Sequence, residues 1–225
     1  MFAFPERDRK GEGGFTMGKV FIVDDDPSVG KSLVRLLGSF GHQAEVHLTA
    51  SAFLQARKPE QTPSCLLLDL KMPDMDGFAL QERLLQEACS MPVVFMSAYG
   101  DIPSSVRAMK RGAVSFLSKP LDTPALIEAI QEALAEDAVR KQDSAERTLI
   151  HERLGLLTER EQEIFSYVIT GLLNKQIASA LNISEKTVKA HRGRVMQKMR
   201  ARSLAELVRM AHKAGITPAA SSYSA

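Results

Sequence analysis

The chain has 225 residues, 44% hydrophobic and 25% charged, which is long enough for two packed domains of ordinary size. No apolar run approaches the roughly 20 residues of a membrane-spanning helix, and the two cysteines, Cys65 and Cys89, indicate a reducing cytoplasmic location rather than a disulfide-stabilised secreted protein. The net charge of +2 conceals a division, because residues 17–136 carry 11 basic and 15 acidic side chains whereas residues 137–225 carry 15 and 9, a balance that favours polyanion binding by the second half.

Strand and helix patterns alternate through the first half of the chain. Residues 1–16 are polar and glycine-containing and are expected to be disordered, and Met17 directly precedes the first strand, so Met1 and Met17 both remain open as the natural start. Short apolar or β-branched runs predict strands at residues 19–23, 44–48, 64–69, 91–96 and 114–117. Helical spacing and turn residues predict helices at residues 27–40, 49–57, 78–88, 101–111 and from about 123. Because parallel strands need helical crossovers, residues 17–136 are predicted to form an α/β fold with a doubly wound five-stranded parallel sheet.

The second half shows only helical patterns. Residues 137–152 are charged and lack Pro and Gly, which predicts a linker of helical character. Residues 153–217 are predicted to form an all-α domain, followed by a disordered tail at residues 218–225. Thr158 and Glu161 have the spacing of a capping box at the start of its first helix. Three further helices are predicted at residues 174–181, 184–200 and 203–214, and the short turn between the first two of these makes a helix-turn-helix.

Polar side chains stand at the carboxyl ends of four predicted strands: Asp24, Asp25, Asp69, Ser97 and Lys119. In a doubly wound sheet such ends line one crevice. Carboxylates that meet there repel one another unless a cation is present, and Mg²⁺ prefers oxygen ligands and works with phosphate oxygens.

Phosphoryl transfer fits this set of residues, because it needs positioning and charge neutralisation more than covalent machinery. Asp69 is expected to be the nucleophile. Asp25 is expected to bind Mg²⁺ directly and Asp24 through a water, with the Lys71 carbonyl as a further ligand. Ser97 and Lys119 are expected to hold the equatorial phosphoryl oxygens.

Residues 19–136 resemble the receiver domain of two-component response regulators in four motifs: Val-Asp-Asp-Asp-Pro (23–27), Leu-Leu-Leu-Asp-Leu-Lys-Met-Pro-Asp-Met-Asp-Gly (66–77), Met-Ser-Ala (96–98) and Phe-Leu-Ser-Lys-Pro (116–120). Each motif alone is more often a helix cap, a solvated turn or a core residue, but four in register make that improbable. The resemblance implies phosphorylation of Asp69 by a sensor histidine kinase or a small phosphodonor, and a cis Lys119–Pro120 bond. It also implies a switch in which Ser97 moves toward the phosphoryl group and Phe116 repacks, although Phe116 is equally consistent with an ordinary core residue. Tyr99 is expected to shield the acyl phosphate from water.

The predicted helix at residues 184–200 carries apolar residues on one side and a basic face with small residues on the other. A solvated face is the simpler alternative, but this second face suits entry into a major groove. The segments 157–161, 174–178 and 184–192 resemble the LuxR-type DNA-binding domain. The resemblance and the basic pattern together assign the DNA-binding residues Lys175, Lys186, Thr187, Lys189, Ala190, Arg192, Gly193 and Arg194. Lys189, Ala190 and Gly193 match base-facing positions, and Gly193 departs from the larger polar residue often found there. Lys175, Arg192 and Arg194 are assigned to phosphates.

The two halves together resemble the FixJ/NarL class of response regulators. The resemblance implies a cytoplasmic transcription regulator that forms a homodimer on phosphorylation, binds pseudo-palindromic double-stranded promoter sites with half-sites about 10 bp apart, and works with RNA polymerase. The last helix, at residues 203–214, is expected either to pack within its domain or to pair with a second subunit. Such a protein is not an enzyme beyond slow self-phosphorylation and self-dephosphorylation. An Mg²⁺-dependent phosphohydrolase is one alternative, but Lys71 stands where a second catalytic acid would be needed. A regulator that binds DNA without accepting phosphate is another.

Overall fold

The computed structural model describes residues 16–98 and 102–219. The chain divides into two compact units, and the division falls between Lys141 and Gln142. The expectation for Tyr99 and most of those for the two chain ends lie outside the described residues.

The first unit is an α/β fold. Its strands are β1 (Lys19–Val23), β2 (Gln43–His47), β3 (Ser64–Asp69), β4 (Val93–Ser97) and β5 (Ser115–Ser118). Its helices are α1 (Pro27–Ser39), α2 (Ala50–Ala56), α3 (Gly77–Gln86), α4 (Ile102–Lys110) and α5 (Thr123–Gly155). The strands pair in parallel in the order β2-β1-β3-β4-β5, which confirms the predicted doubly wound sheet.

Apolar side chains on both faces of the sheet explain why the central strands read as continuous apolar runs. β3 is buried along its whole length. In β1, Val20 and Ile22 pack with helices α1 and α5, whereas Phe21 and Val23 pack with helices α2, α3 and α4. The sheet is therefore covered on both sides, and the polar chemistry is left to the ends of its strands.

Two local features set the strand ends around Asp69. β4 begins at Val93 rather than at residue 91, because Pro92 has no N–H to donate, although its carbonyl still accepts a hydrogen bond from Leu66 at 2.9 Å. The turn after β3 requires a glycine at Gly77, since a Cβ there would lie 2.7 Å from the carbonyl oxygen of Asp69.

Helix α5 is one continuous helix of 33 residues, so residues 137–152 are helical. The division between the units falls five residues after residue 136, where the first domain was predicted to end. Asp137 belongs to the first unit by its contacts, because it is 4% exposed and accepts hydrogen bonds from the Ser64 N–H at 2.7 Å and from Lys141 at 2.6 Å. The sequence does not reveal this contact, because a charged segment such as residues 137–152 has the same composition whether its acids are buried with partners or exposed to water.

The second unit consists of α6 (Glu159–Val168), α7 (Asn174–Leu181), α8 (Glu185–Met199) and α9 (Leu204–Lys213), together with the end of α5. Ile150 of α5 lies in the apolar core formed by these helices. The predicted capping box at the start of α6 is confirmed. Leu207, Met210 and Ala211 of α9 are buried in the same core, so one side of α9 packs within its own unit. Of the helices in the described ranges, none is long and apolar enough to cross a membrane.

Candidate functional sites

The carboxyl ends of β1, β3 and β5 meet around one lysine. The ammonium of Lys119 lies 2.7 Å from Asp24 Oδ2 and 2.6 Å from Asp69 Oδ1. Lys119 follows β5 directly, and the predicted cis bond between Lys119 and Pro120 is present. The structure therefore brings together two of the predicted carboxylates and the predicted lysine.

The three consecutive acids after β1 occupy different environments. Asp24 is fully buried, and its Oδ1 accepts a hydrogen bond from the Asp26 N–H at 2.9 Å. Asp25 is exposed to solvent. Asp26 caps helix α1, because its side chain accepts a hydrogen bond from the Ser28 N–H at 2.7 Å. Asp26 is thus engaged as a helix cap and Asp24 by Lys119 and the Asp26 N–H, and Asp25 is the exposed acid of the three.

Asp69 is a buried carboxylate with incomplete compensation. It is 5% exposed, and its Oδ2 accepts a hydrogen bond from the Lys71 N–H at 2.8 Å. Burial raises the pKa of Asp69 above its ordinary value, and nearby Asp24 adds to this, whereas Lys119 and the Lys71 N–H oppose it.

Lys119 remains charged because two acids share it. Burial acts to lower the pKa of Lys119, but its hydrogen bonds to Asp24 and Asp69 outweigh burial and raise it. The positive charge of Lys119 is therefore stabilised by two carboxylates, whereas Asp24 and Asp69 are compensated by a single ammonium between them. The site retains excess negative charge and favours a further cation.

Ser97 and Phe116 lie on the two neighbouring strands. Ser97 ends β4 and is 2% exposed, and its carbonyl accepts a hydrogen bond from the Lys119 N–H at 2.7 Å. Phe116 on β5 is half-buried, with its ring centroid 6.5 Å from that of Phe95. These contacts place Ser97 beside the lysine, and they fit Phe116 both as a core residue and as a side chain with room to repack.

The donor set suits a hydrated Mg²⁺ ion more than a cage of protein ligands. Within residues 16–98 and 102–219, no group of three or more His, Cys, Asp or Glu side chains is arranged to hold a metal. Mg²⁺ usually keeps several waters and binds through one or two carboxylates and phosphate oxygens. The exposed Asp25, the carboxylate of Asp69 and the carbonyl of Lys71 are hard oxygen donors of this kind, so the residues present fit the ion.

Sequence reasoning missed Asp74, in the loop between β3 and α3. Its Oδ2 accepts a hydrogen bond from the Ser51 N–H at 3.0 Å, and its Oδ1 accepts one from the Ala50 N–H at 3.4 Å. These amides form the start of helix α2. The sequence shows an acid in a loop, but its partner lies 23 residues earlier in the chain, and no local pattern connects the two.

Helix α8 of the second unit presents the predicted basic surface. Its apolar side, Val188, Val195 and Met199, is buried as predicted. The exposed predicted residues are Lys175 on α7 and, on α8, Lys186, Lys189, Ala190, Gly193 and Arg194. A Cβ added at Gly193 would meet no atom within 4 Å, so this position leaves an open space on the surface.

Two further predicted residues have partners within the unit. Arg192 is half-buried and donates a hydrogen bond to Asn174 Oδ1, at the start of α7, at 3.1 Å. The half-buried Thr187 donates its N–H to Ser184 Oγ, the cap of α8, at 3.1 Å. Arg192 therefore links the two helices of the helix-turn-helix.

Lys198 departs from the uniform basic run that the sequence suggests. Its ammonium lies 2.6 Å from Glu161 Oε2 and 3.0 Å from the carbonyl of Leu156. Glu161 is 2% exposed and also accepts the Thr158 N–H at 2.9 Å, and Lys198 and this N–H lower its pKa to about 2. Lys198 therefore supports the fold of the unit.

Comparison with known proteins gives matches in both units. The family model described as response regulator receiver domain matches residues 20–131, and the one described as bacterial regulatory proteins, luxR family, matches residues 155–211. Nodulation protein W of Bradyrhizobium diazoefficiens is 43% identical over 93% of this chain and 94% of its own length. The transcriptional regulatory protein FixJ of Rhizobium meliloti is 42% identical over 88% of this chain and 97% of its own.

Two solved structures are similar over most of the chain. The response regulator StyR has a TM-score of 0.79 and 46% identity, covering 88% of this chain and 99% of its own. Full-length FixJ from B. japonicum has a TM-score of 0.54 and 37% identity, covering 89% and 98%. Both similarities extend over the α/β unit and the helical unit.

Proposed function

This chain belongs to the response regulators that join a receiver domain to a LuxR-type DNA-binding domain and regulate transcription, and from that membership we propose that it is switched by phosphorylation of Asp69. The observation that carries the proposal is the position of Lys119, whose ammonium bridges Asp24 and Asp69. Ser97 ends the neighbouring strand. A sensor histidine kinase is the proposed phosphodonor, and the protein is proposed to act in the cytoplasm.

The chemistry requires little more than these residues. A carboxylate oxygen of Asp69 attacks the phosphorus of a phosphohistidine, a P–O bond forms, the P–N bond breaks, and the imidazole leaves with the bonding electrons. Lys119 neutralises a phosphoryl oxygen, and the Ser97 hydroxyl donates to another. The Lys71 N–H holds the second oxygen of Asp69 and so orients the attacking one.

Mg²⁺ is the proposed cofactor, and it would supply neutralisation of the charge on the phosphoryl group. Asp25 and Asp69 would bind it directly, Asp24 through water, and the Lys71 carbonyl would complete the protein ligands. The excess negative charge around Lys119 supports this assignment. Asp24 and Asp69 carry two negative charges and share one ammonium, so a second cation is favoured.

A groove beside Lys119 supports docking of the phosphodonor. It has a volume of 390 Å³ and is lined by apolar side chains of α1, including Val29, Leu33 and Leu36, and by Pro120 and Leu121. A donor must bring its phosphohistidine to the rim of the sheet, and an apolar helix of the donor would bury this groove while doing so.

Dimerisation is proposed to use helix α4 and strand β5. Helix α4 exposes three apolar side chains, with Ile102 77%, Val106 45% and Met109 50% exposed. Ser97 and Phe116 connect the phosphorylation site to these elements, so phosphorylation would shift the population toward a dimer through them. The dimer then matches a pseudo-palindromic promoter site.

DNA reading is proposed for the exposed face of α8. Lys189, Ala190 and Gly193 would face the bases, and Lys186 and Thr187 would lie near the start of the helix in the groove. Lys175, Arg192 and Arg194 would contact phosphates, with RNA polymerase as a further partner at the promoter.

Labelling of the Asp69→Asn variant with acetyl phosphate tests the proposal. The wild-type protein is expected to take up one phosphoryl group in the presence of Mg²⁺ and then to bind DNA sites selected from a random pool more tightly. Asp69→Asn is expected to do neither, because an amide forms no acyl phosphate. Asp122→Asn serves as the control, since Asp122 is an exposed cap of α5 with the same change in charge. Persistent labelling of Asp69→Asn would refute the site.

A further inference from the structure

We propose that Asp74 is a positioning residue for the metal and phosphoryl site, because it ties the loop after β3 to the start of helix α2 and thereby fixes the Lys71 carbonyl. The inference rests on the proposed function of Asp69. It concerns a side chain that would contact neither Mg²⁺ nor the phosphoryl group.

The contact is a shared helix cap. The Asp74 carboxylate accepts the N–H groups of Ala50 and Ser51, at 3.4 and 3.0 Å, and Thr49 Oγ1 accepts the N–H of Ala52 at 3.0 Å. The first amides of a helix have no partners within the helix. Here they are divided between the usual capping residue, Thr49, and an acid from a distant loop.

The loop is also held by other contacts: Leu70 donates its N–H to the Met96 carbonyl at 2.9 Å, and Leu70 and Met75 pack with the apolar core. At its start the Lys71 N–H binds the Asp69 carboxylate, and at its end the Gly77 N–H binds the Leu70 carbonyl at 2.9 Å. Met72 packs into the apolar core. Asp74 adds a polar contact to a different helix, α2, three residues after the proposed metal ligand.

Metal ligands depend on the groups that hold them in place. A backbone carbonyl has no side-chain torsion of its own, so its position follows that of the surrounding loop. Groups that hydrogen-bond to a metal ligand typically change metal affinity by about 10-fold to 100-fold when they are removed, and Asp74 acts one step further out, through the backbone of the loop. Asp74 is therefore expected to act on Mg²⁺ affinity through Lys71, whereas Asp76 in the same loop caps helix α3, accepting the Ala79 N–H at 2.7 Å.

Thr49 offers a matched control. Thr49→Ala and Asp74→Ala each remove one cap from helix α2, so each is expected to weaken that helix to a similar extent. Only Asp74→Ala also releases the loop. A purely structural role for Asp74 would give the two variants the same behaviour, and a positioning role would separate them.

The experiment compares the full-length variants by Mg²⁺ titration calorimetry and by acetyl phosphate labelling at several Mg²⁺ concentrations. Asp74→Ala is expected to bind Mg²⁺ about 10-fold more weakly and to label slowly at low Mg²⁺, with recovery at saturating Mg²⁺. Thr49→Ala is expected to match the wild-type protein in both measurements. Asp74→Asn keeps an amide oxygen that accepts the Ser51 N–H, and it is expected to lie between wild type and Asp74→Ala.

Two results would overturn the inference. In the first, Asp74→Ala binds Mg²⁺ as tightly as the wild-type protein. If the alanine variant does not fold, the same result in Asp74→Asn counts instead. In the second, Thr49→Ala shows an equal loss. Either leaves the phosphorylation of Asp69 intact, whereas a wild-type protein that takes up no phosphate contradicts the proposed function itself.

Discussion

Each unit buries a carboxylate against a lysine, Asp69 with Lys119 in the first and Glu161 with Lys198 in the second. Both acid side chains are almost inaccessible to solvent, and the two ion-pair distances are both 2.6 Å. The pKa of Asp69 is nevertheless raised by burial, whereas Lys198 and a backbone N–H lower the pKa of Glu161 to about 2.

The difference lies in how many acids depend on each lysine. Lys119 serves Asp24 as well as Asp69, whereas Lys198 pairs with Glu161 and otherwise contacts a carbonyl. A carboxylate with its own lysine and its own N–H stabilises a fold. A carboxylate that shares its lysine keeps negative charge that is only partly compensated and gains from a new cation, which suits a site that binds Mg²⁺ before phosphorylation.

The largest expected effect follows from removing the shared lysine. Lys119→Met is expected to reduce acetyl phosphate labelling of Asp69 at least about 100-fold, because the group that neutralises a phosphoryl oxygen is lost and two carboxylates face each other without an ammonium. Labelling rates at saturating Mg²⁺ measure this. Lys58→Met, on an exposed loop residue, is the control. Labelling of Lys119→Met at the wild-type rate would mean that the bridge is only structural.

Removal of the charge on Glu161 is expected to destabilise the second unit. Glu161→Gln weakens the bond to Lys198 at a buried position, at a cost of about 1–3 kcal/mol in the free energy of unfolding. Hydrogen exchange of the α6 and α8 amides reports the loss in the full-length protein. Glu163→Gln is a matched control on the same helix, because Glu163 pairs with Arg160 at the surface, and exposed changes of this kind cost under about 0.5 kcal/mol. Equal effects of the two variants would contradict the comparison.

Acid is expected to act on Glu161 in a defined window. The folded pKa of about 2 lies below the unfolded value of roughly 4.3, so the stabilisation is complete above the unfolded value and is lost as the pH falls toward about 2. The stability difference between wild type and Glu161→Gln should therefore shrink between pH 5 and pH 2, as followed by circular dichroism. A difference that stays constant would mean that the charge of Glu161 does not stabilise the unit.

The smallest expected effect has the opposite sign. Asp69→Asn is expected to leave the first unit equally stable or to stabilise it by up to about 1 kcal/mol, because it removes a buried charge that is only partly compensated. Since the folded pKa of Asp69 is raised, this gain should grow as the pH rises above the unfolded pKa and be complete above the folded pKa. It should vanish in acid, where Asp69 is protonated and as neutral as the asparagine. Thermal unfolding of the two proteins without Mg²⁺ measures the sign. A clear loss of stability of Asp69→Asn at neutral pH would mean that the charge of Asp69 stabilises the fold, as that of Glu161 is expected to do.

The sequence predicts those contacts that arise from regular structure. The ends of parallel strands lie at one rim, so Asp24, Asp69 and Lys119 could be placed together from spacing alone. The capping box of Thr158 and Glu161 is local, and its pattern is visible within four residues. Fold class was accessible for the same reason, because periodicity and turn residues repeat along the chain.

Contacts between distant segments were not accessible. Lys198 belongs by composition to a basic run, but its direction on the helix and the proximity of Glu161 depend on how α6 and α8 pack. The sequence predicts Asp137 as part of a linker, although the carboxylate binds the start of β3. Asp74 reaches α2 across the fold. In each case a charged residue appears solvated in sequence, and only the tertiary structure shows its partner.

The buried contact between Asp137 and Ser64 sets a minimum length for any fragment that is to represent the first unit alone. A fragment that stops at residue 136 would leave the Ser64 N–H without its carboxylate at a buried position, at a cost of about 1–3 kcal/mol. Ser64 begins the same strand that ends in Asp69. Weak phosphorylation of such a truncated receiver would then reflect a damaged strand, and fragments that extend through Lys141 avoid that artefact.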